Sequence, residues 1–231
     1  MITHKDKWKL LVNIGNRLFG PDGDRAFETH KAVHDGRLKL EKADVLSNRM
    51  TRRRQQGVSL HPSIQQLVDQ GRAHLFEVTL GRYQSGLEYE QALKAAGHKV
   101  GDYAHDMLQS VAFRVERKPL VIKLVRVTVA QLSFSQEVNL RVIYGRAVKM
   151  GLYRSPAEVG PAYLLEHGRN LRGCVYVGMK PIVRDGFPTV FMVYRNVDGS
   201  RLDGGSARPG DRWNLGNQVV FRLRQVEPSG S

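Results

Sequence analysis

Val121-Ile122-Lys123-Leu124-Val125-Arg126-Val127-Thr128-Val129 is an aliphatic, β-branched run broken only by two cations and a threonine, and it predicts a strand. Downstream, residues 137–150 place Val138, Val142, Ile143, Ala147 and Met150 at helical spacing, with Arg141, Arg146 and Lys149 off that stripe. Gly151 stops this helix. Ser155-Pro156-Ala157-Glu158 then has the form of a helix start, with Ser155 as N-cap, Pro156 first and Glu158 third. Gly160-Pro161 is expected to interrupt it, leaving one further turn near Tyr163–Glu166. A strand followed by a helix and a second helix start makes this the organising unit of the chain.

C-terminal to that unit the pattern is β. Val175–Val177, Thr189–Tyr194 and Gln218–Val226 are strand candidates, and Val183–Pro188 and Asn196–Asp211 read as turns and loops rich in Gly, Asp, Ser and Pro. N-terminal to it the pattern is mainly helical. Helices are expected over 6–19, 24–34, part of 37–56, 64–70, 87–96 and about 102–111, with strands at Arg37–Glu41 and His74–Leu80. The expected fold class is therefore α+β. Residues 1–113 form a mostly helical N-terminal half, and residues 114–231 a strand–helix unit ending in a small antiparallel sheet or partial barrel.

The chain has 231 residues, enough to bury a sizeable core. No stretch approaches the roughly 18 apolar residues of a membrane span, and the N-terminus lacks a signal-peptide core. The expectation is a cytoplasmic protein without membrane association. The single cysteine, Cys174, excludes an internal disulfide and a cysteine-built zinc site. Charge is uneven. Of the net +14, residues 114–154 hold +7, from nine Lys/Arg against two Asp/Glu, while residues 57–113 are net −2. Such a surface suits a polyanion, because neutralised phosphates release counterions. The candidate nucleic-acid contacts are Arg114, Arg117, Lys118, Lys123, Arg126, Arg141, Arg146 and Lys149, with Tyr144 and Tyr153 available to stack on bases. Arg52-Arg53-Arg54 reads as a solvated helix end.

Other constellations are weaker. The helix pair at 87–111 resembles a helix–turn–helix, but its second helix carries Asp102, His105, Asp106 and Gln109, the wrong charge for a groove reader, so two packed helices are expected. His30 and His34 would share a helix face, yet Lys31 stands where the zinc-protease motif needs Glu, and structural histidines are the reading. Cys174 has His167 and Arg172 nearby in sequence but reads as a small core residue. The Gly- and Asp-rich loops at 184–186 and 198–206 lack calcium or phosphate-loop spacing and read as hairpin turns. No cofactor or metal is expected.

Ile143-Tyr144-Gly145-Arg146-Ala147, Gly151-Leu152 and Pro156-Ala157-Glu158-Val159-Gly160-Pro161 together resemble a pattern of uncharacterised bacterial proteins of similar length, in which a β-rich segment follows. Tyr176-Val177-Gly178-Met179-Lys180-Pro181-Ile182 and Val220-Phe221 extend the match to about residues 120–225. The resemblance implies a bacterial protein with one continuous C-terminal unit. It implies no activity and no site residue. The functional expectation is a non-enzymatic nucleic-acid-binding or regulatory protein. The alternative is a small hydrolase using a His30/His34 metal site or Cys174 with a histidine, and the sequence leaves the choice between enzyme and binding protein open.

Overall fold

The chain divides into two units, Met1–Gly57 and Val58–Ser231. A computed structural model describes residues 60–224, all in the second unit. The elements expected before residue 60, and His30 and His34, lie outside the described residues.

Five helices run α1 (Pro62–Asp69), α2 (Gly86–Ala95), α3 (Asp102–Gln109), α4 (Leu140–Lys149) and α5 (Val159–His167). Nine strands run β1 (His74–Leu80), β2 (Lys99–Val100), β3 (Leu120–Thr128), β4 (Leu152–Tyr153), β5 (Cys174–Val177), β6 (Ile182–Arg184), β7 (Phe187–Asn196), β8 (Gly199–Ser206) and β9 (Gln218–Leu223). All nine belong to one sheet in the order β1-β3-β9-β5-β7-β8-β2, with β4 added to β9 and β6 to β7. The sheet is mixed: β5–β9 and β2–β8 are parallel, and the other pairs are antiparallel.

This overturns the expected fold class. The sheet is neither small, nor purely antiparallel, nor a terminal addition, and it is not closed into a barrel. Of the described residues 33% are strand and 31% helix, and all nine strands join one sheet, which organises the fold. β1 and β2 precede residue 114 and join the same sheet as the later strands. The piece between α2 and α3 is itself a strand, β2, laid parallel to β8, so these helices are joined through the sheet.

The opening run of the sequence becomes β3, and its register explains its composition. β3 sits between β1 and β9, and Leu124, Val125 and Val127 are all buried although they point to both faces. On β9, Val219, Val220 and Phe221 are likewise buried on alternate faces. Central strands covered on both sides read as continuous apolar runs rather than alternation.

One face is covered by α4. Asn139 caps this helix, its side chain accepting from the Val142 amide at 3.0 Å, and Gly151 with φ +71° ends it. Tyr144 from α4 packs on Phe221, ring centroids 6.1 Å apart, and its hydroxyl donates to the Met179 carbonyl at 2.7 Å.

The other face wraps α5. Val159, Pro161, Ala162, Tyr163 and Leu164 are buried around this helix, which touches β1, β7, β8 and α2. β1 and β7 are four places apart in the strand order. In a flat sheet that is about 19 Å, against a helix diameter of roughly 10 Å. The sheet therefore curls around α5. Phe76 of β1 meets Tyr163 at 5.1 Å between ring centroids, while a Cβ at Gly160 would stand 2.8 Å from the Phe191 side chain of β7.

The start of α5 differs from its sequence reading. Glu158 is the N-cap, and Ser155 pairs in a β-bridge with Met179. Gly160-Pro161 does not interrupt the helix. Pro161 sits in the first turn, where its missing N–H has no intrahelical partner to lose.

Candidate functional site

Glu158 is fully buried, and among the described residues no cation pairs with it. Its Oε1 accepts from the Gly81 amide at 2.6 Å and from the Tyr89 hydroxyl at 2.7 Å, and its Oε2 accepts from the Glu116 amide at 2.8 Å. Its own backbone carbonyl accepts the first α5 bond, from Ala162. A carboxylate at a helix N-terminus is favoured by the helix dipole. Burial pushes the Tyr89 phenol well above its ordinary range, and the bond to Glu158 acts in the same direction, so the hydroxyl stays a donor. An aromatic ladder supports it: Tyr83 and Phe113 lie edge-on to Tyr89 at 4.8 and 6.3 Å, and Phe113 is edge-on to Phe191 at 6.0 Å.

With both oxygens occupied and no exposure, Glu158 cannot reach a substrate. It acts as a clamp. It ties the loop after β1, the helix α2 and the segment before β3 to the start of α5.

The segment it holds is the basic one. Arg114, Arg117 and Lys118 are exposed on either side of the clamped Glu116 amide. Among the described residues none of the three has an ion pair; Glu116 is the acidic side chain between them. Gly81 packs against the Lys118 carbonyl where no Cβ would fit, which fixes the segment a second time.

The other expected contacts are spread over different surfaces. Lys123 and Arg126 lie three residues apart on β3, so they point to opposite faces. Lys123 is partly buried opposite Glu77 of β1. Arg126 is partly buried on the α5 side, where its charge acts on the Tyr163 hydroxyl. Arg141 and Lys149 are exposed on α4. Arg146 is on the same helix, but its Nε donates to the Leu132 carbonyl at 2.9 Å, tying α4 to the turn after β3. Of the two tyrosines, Tyr144 is committed to Met179 and Phe221, and Tyr153 is partly buried on β4.

Cys174 is partly buried on β5, and burial pushes its thiol above the ordinary range. It projects to the face opposite Val175 and Val177, which pack toward α5. His167 is on α5 itself, its Nε2 on the Glu77 carbonyl at 2.9 Å and its ring against Phe76 and Tyr163. The sheet thus separates the two groups. Among the described residues no three His, Cys, Asp or Glu side chains are placed to hold a metal ion. No helix there is long and apolar enough to cross a membrane.

The clamp was invisible to sequence reasoning. Glu158 is separated from Gly81, Tyr89 and Glu116 by 77, 69 and 42 residues. Only its local role, a carboxylate at a helix start, leaves a signal in the spacing. No protein-family model matches the chain, and neither a curated protein nor a solved structure matches it.

Proposed function

We propose that this protein binds nucleic acid or another polyanion, without catalysing a reaction, through phosphate contacts from Arg114, Arg117 and Lys118. One observation carries the reading: three exposed cations, without ion pairs among the described residues, stand on a backbone held by the buried Glu158. A fixed segment loses little backbone freedom on binding, so more of the electrostatic gain remains as affinity. Arg141 and Lys149, exposed on α4, are available as further contacts. The +7 excess over residues 114–154 supports the reading, because a basic surface raises the local concentration of anions.

Fluorescence anisotropy with labelled DNA and RNA, single- and double-stranded, at about 50 and 200 mM salt tests this, because phosphate-driven binding changes most in that range. Tight binding at low salt that weakens steeply at high salt is expected. No binding at 50 mM would contradict the proposal.

A further inference from the structure

Cys174, Tyr194, Arg201 and Lys99 stand in one row across four adjacent strands, β5, β7, β8 and β2. The register sets Cys174 against Tyr194, Tyr194 against Arg201, and Arg201 against Lys99. Alternation puts this row on the sheet face that also carries Tyr176 and Met192. The other face of the same strands, with Val175, Phe191, Val193 and Leu202, is sealed toward α5. The row is open to solvent: Lys99 is exposed, and Cys174, Tyr194 and Arg201 are partly so.

Beside the row the sheet is walled. A Cβ at Gly205 would stand 2.6 Å from the Tyr176 ring, so glycine there lets that ring lie across β8. Trp213 packs edge-on against Tyr176 with centroids 4.6 Å apart. Two groups of the row and one beside it are uncommitted. Among the described residues Tyr194 has no ring partner and no side-chain hydrogen bond, and Lys99 and Arg172, just before β5, have no ion pair. Arg201 has Asp203 at 3.9 Å, and that carboxylate also takes the Gly204 amide at 2.8 Å.

We propose that this row binds single-stranded nucleic acid, with one base stacked on Tyr194 and the flanking phosphates on Lys99, Arg201 and Arg172. The proposal rests on the polyanion reading above and adds strandedness and a second contact surface. Lys99 and Arg172, which have no ion pair among the described residues, call for an anion, with Arg201 beside them shared with Asp203 at 3.9 Å, and a tyrosine ring among these cations calls for a flat π-partner. An unpaired nucleotide offers both, whereas duplex bases are stacked out of reach.

The test is anisotropy with labelled single strands of about 12 nucleotides, a length within the site sizes of single-strand binders, and with the matching duplex, at about 50 mM salt. Tyr194→Ala is expected to weaken single-strand binding about tenfold or more and leave duplex binding unchanged, while Tyr194→Phe stays within about twofold of wild type. Lys99→Gln, an exposed change, is expected to reduce the slope of log K against log salt for the single strand by about 0.7. Thermal melts establish that each variant folds, and if Tyr194→Ala does not, the Lys99→Gln slope decides. Unchanged single-strand binding in Tyr194→Ala, or an unchanged slope in Lys99→Gln, overturns the row while wild-type binding leaves the polyanion reading standing. A wild type that binds no nucleic acid overturns both. Binding to polyglutamate that single strands fail to displace overturns the row in favour of an acidic protein partner.

Discussion

At the scale of single residues, stability is concentrated at buried polar groups whose partners are distant in sequence. Glu158 satisfies two backbone amides and a phenol that would otherwise be buried without an acceptor. Glu158→Ala should cost on the order of 3 kcal/mol or more, and Tyr89→Phe, which removes one donor, about 1 kcal/mol, both read from denaturant melts. A Glu158→Ala protein as stable as wild type would remove the clamp. Two other groups make stability depend on pH. Burial, followed by the charges of Arg169 and Arg195, holds the His98 imidazole below its ordinary range. For Glu90, burial alone would raise the carboxyl, but bonds from Lys94 and His105 outweigh it and hold it below the ordinary carboxylate range. In both cases the unfolded chain takes up a proton at higher pH than the folded one. Stability is therefore full above the unfolded value and falls with acidification, from about pH 6.5 for His98 and from about pH 4.5 for Glu90. Melting temperatures measured from pH 8 to pH 4 should fall in those two windows, with His98→Gln flattening the upper and Glu90→Gln the lower. Equal melting temperatures across the range would contradict this assignment.

At the scale of elements, the readable parts were those whose signal is local. The aliphatic run gives β3, His74–Leu80 alternates into β1, and the helix before Gly151 ends where glycine adopts the left-handed conformation. Asp185-Gly186, read as a hairpin turn, has positive φ at both residues, the type I′ arrangement that joins β6 to β7. β8 carries the composition of a loop, because Gly199, Gly204 and Gly205 weaken any strand signal. Gly199 takes φ +109° at the turn from β7, and the other two answer to packing. A side chain at Gly204 would strike Thr189 and Tyr103, and one at Gly205 would strike Tyr176. Gly205→Val should therefore destabilise by about 1–3 kcal/mol even though valine favours strands, because overpacking outweighs propensity. A chemical-denaturation midpoint equal to or above wild type would contradict this.

At the scale of the whole described unit, the decisive feature is a nine-stranded sheet curled around one apolar helix, and it was not legible. α5 is apolar all round up to Leu165, with Glu166 and His167 only in its last turn, so it lacks an amphipathic stripe, and its Gly160-Pro161 pair mimics a break. The curl depends on Phe76 and Phe191, from strands far apart in sequence, meeting the same helix. Covering β3 and β9 on both faces leaves the exposed cations of residues 114–154 before β3 and along α4, while Lys123 and Arg126 are partly buried on β3. The unevenness of charge is readable from composition, and the separation of Lys123 from Arg126 onto opposite faces follows from their odd spacing on a strand, but the fixing of Arg114, Arg117 and Lys118 by Glu158 is not readable, because its partners are distant in sequence. The central claim is that the segment fixed by Glu158 meets phosphate. It is tested most directly by the slope of log K against log salt for nucleic-acid binding, in wild type and in an Arg114→Gln/Arg117→Gln/Lys118→Gln variant. If all three cations neutralise phosphates, the variant's slope should be shallower by roughly 2 to 3, with weaker binding at about 50 mM salt. A variant with the wild-type slope and affinity would contradict the account.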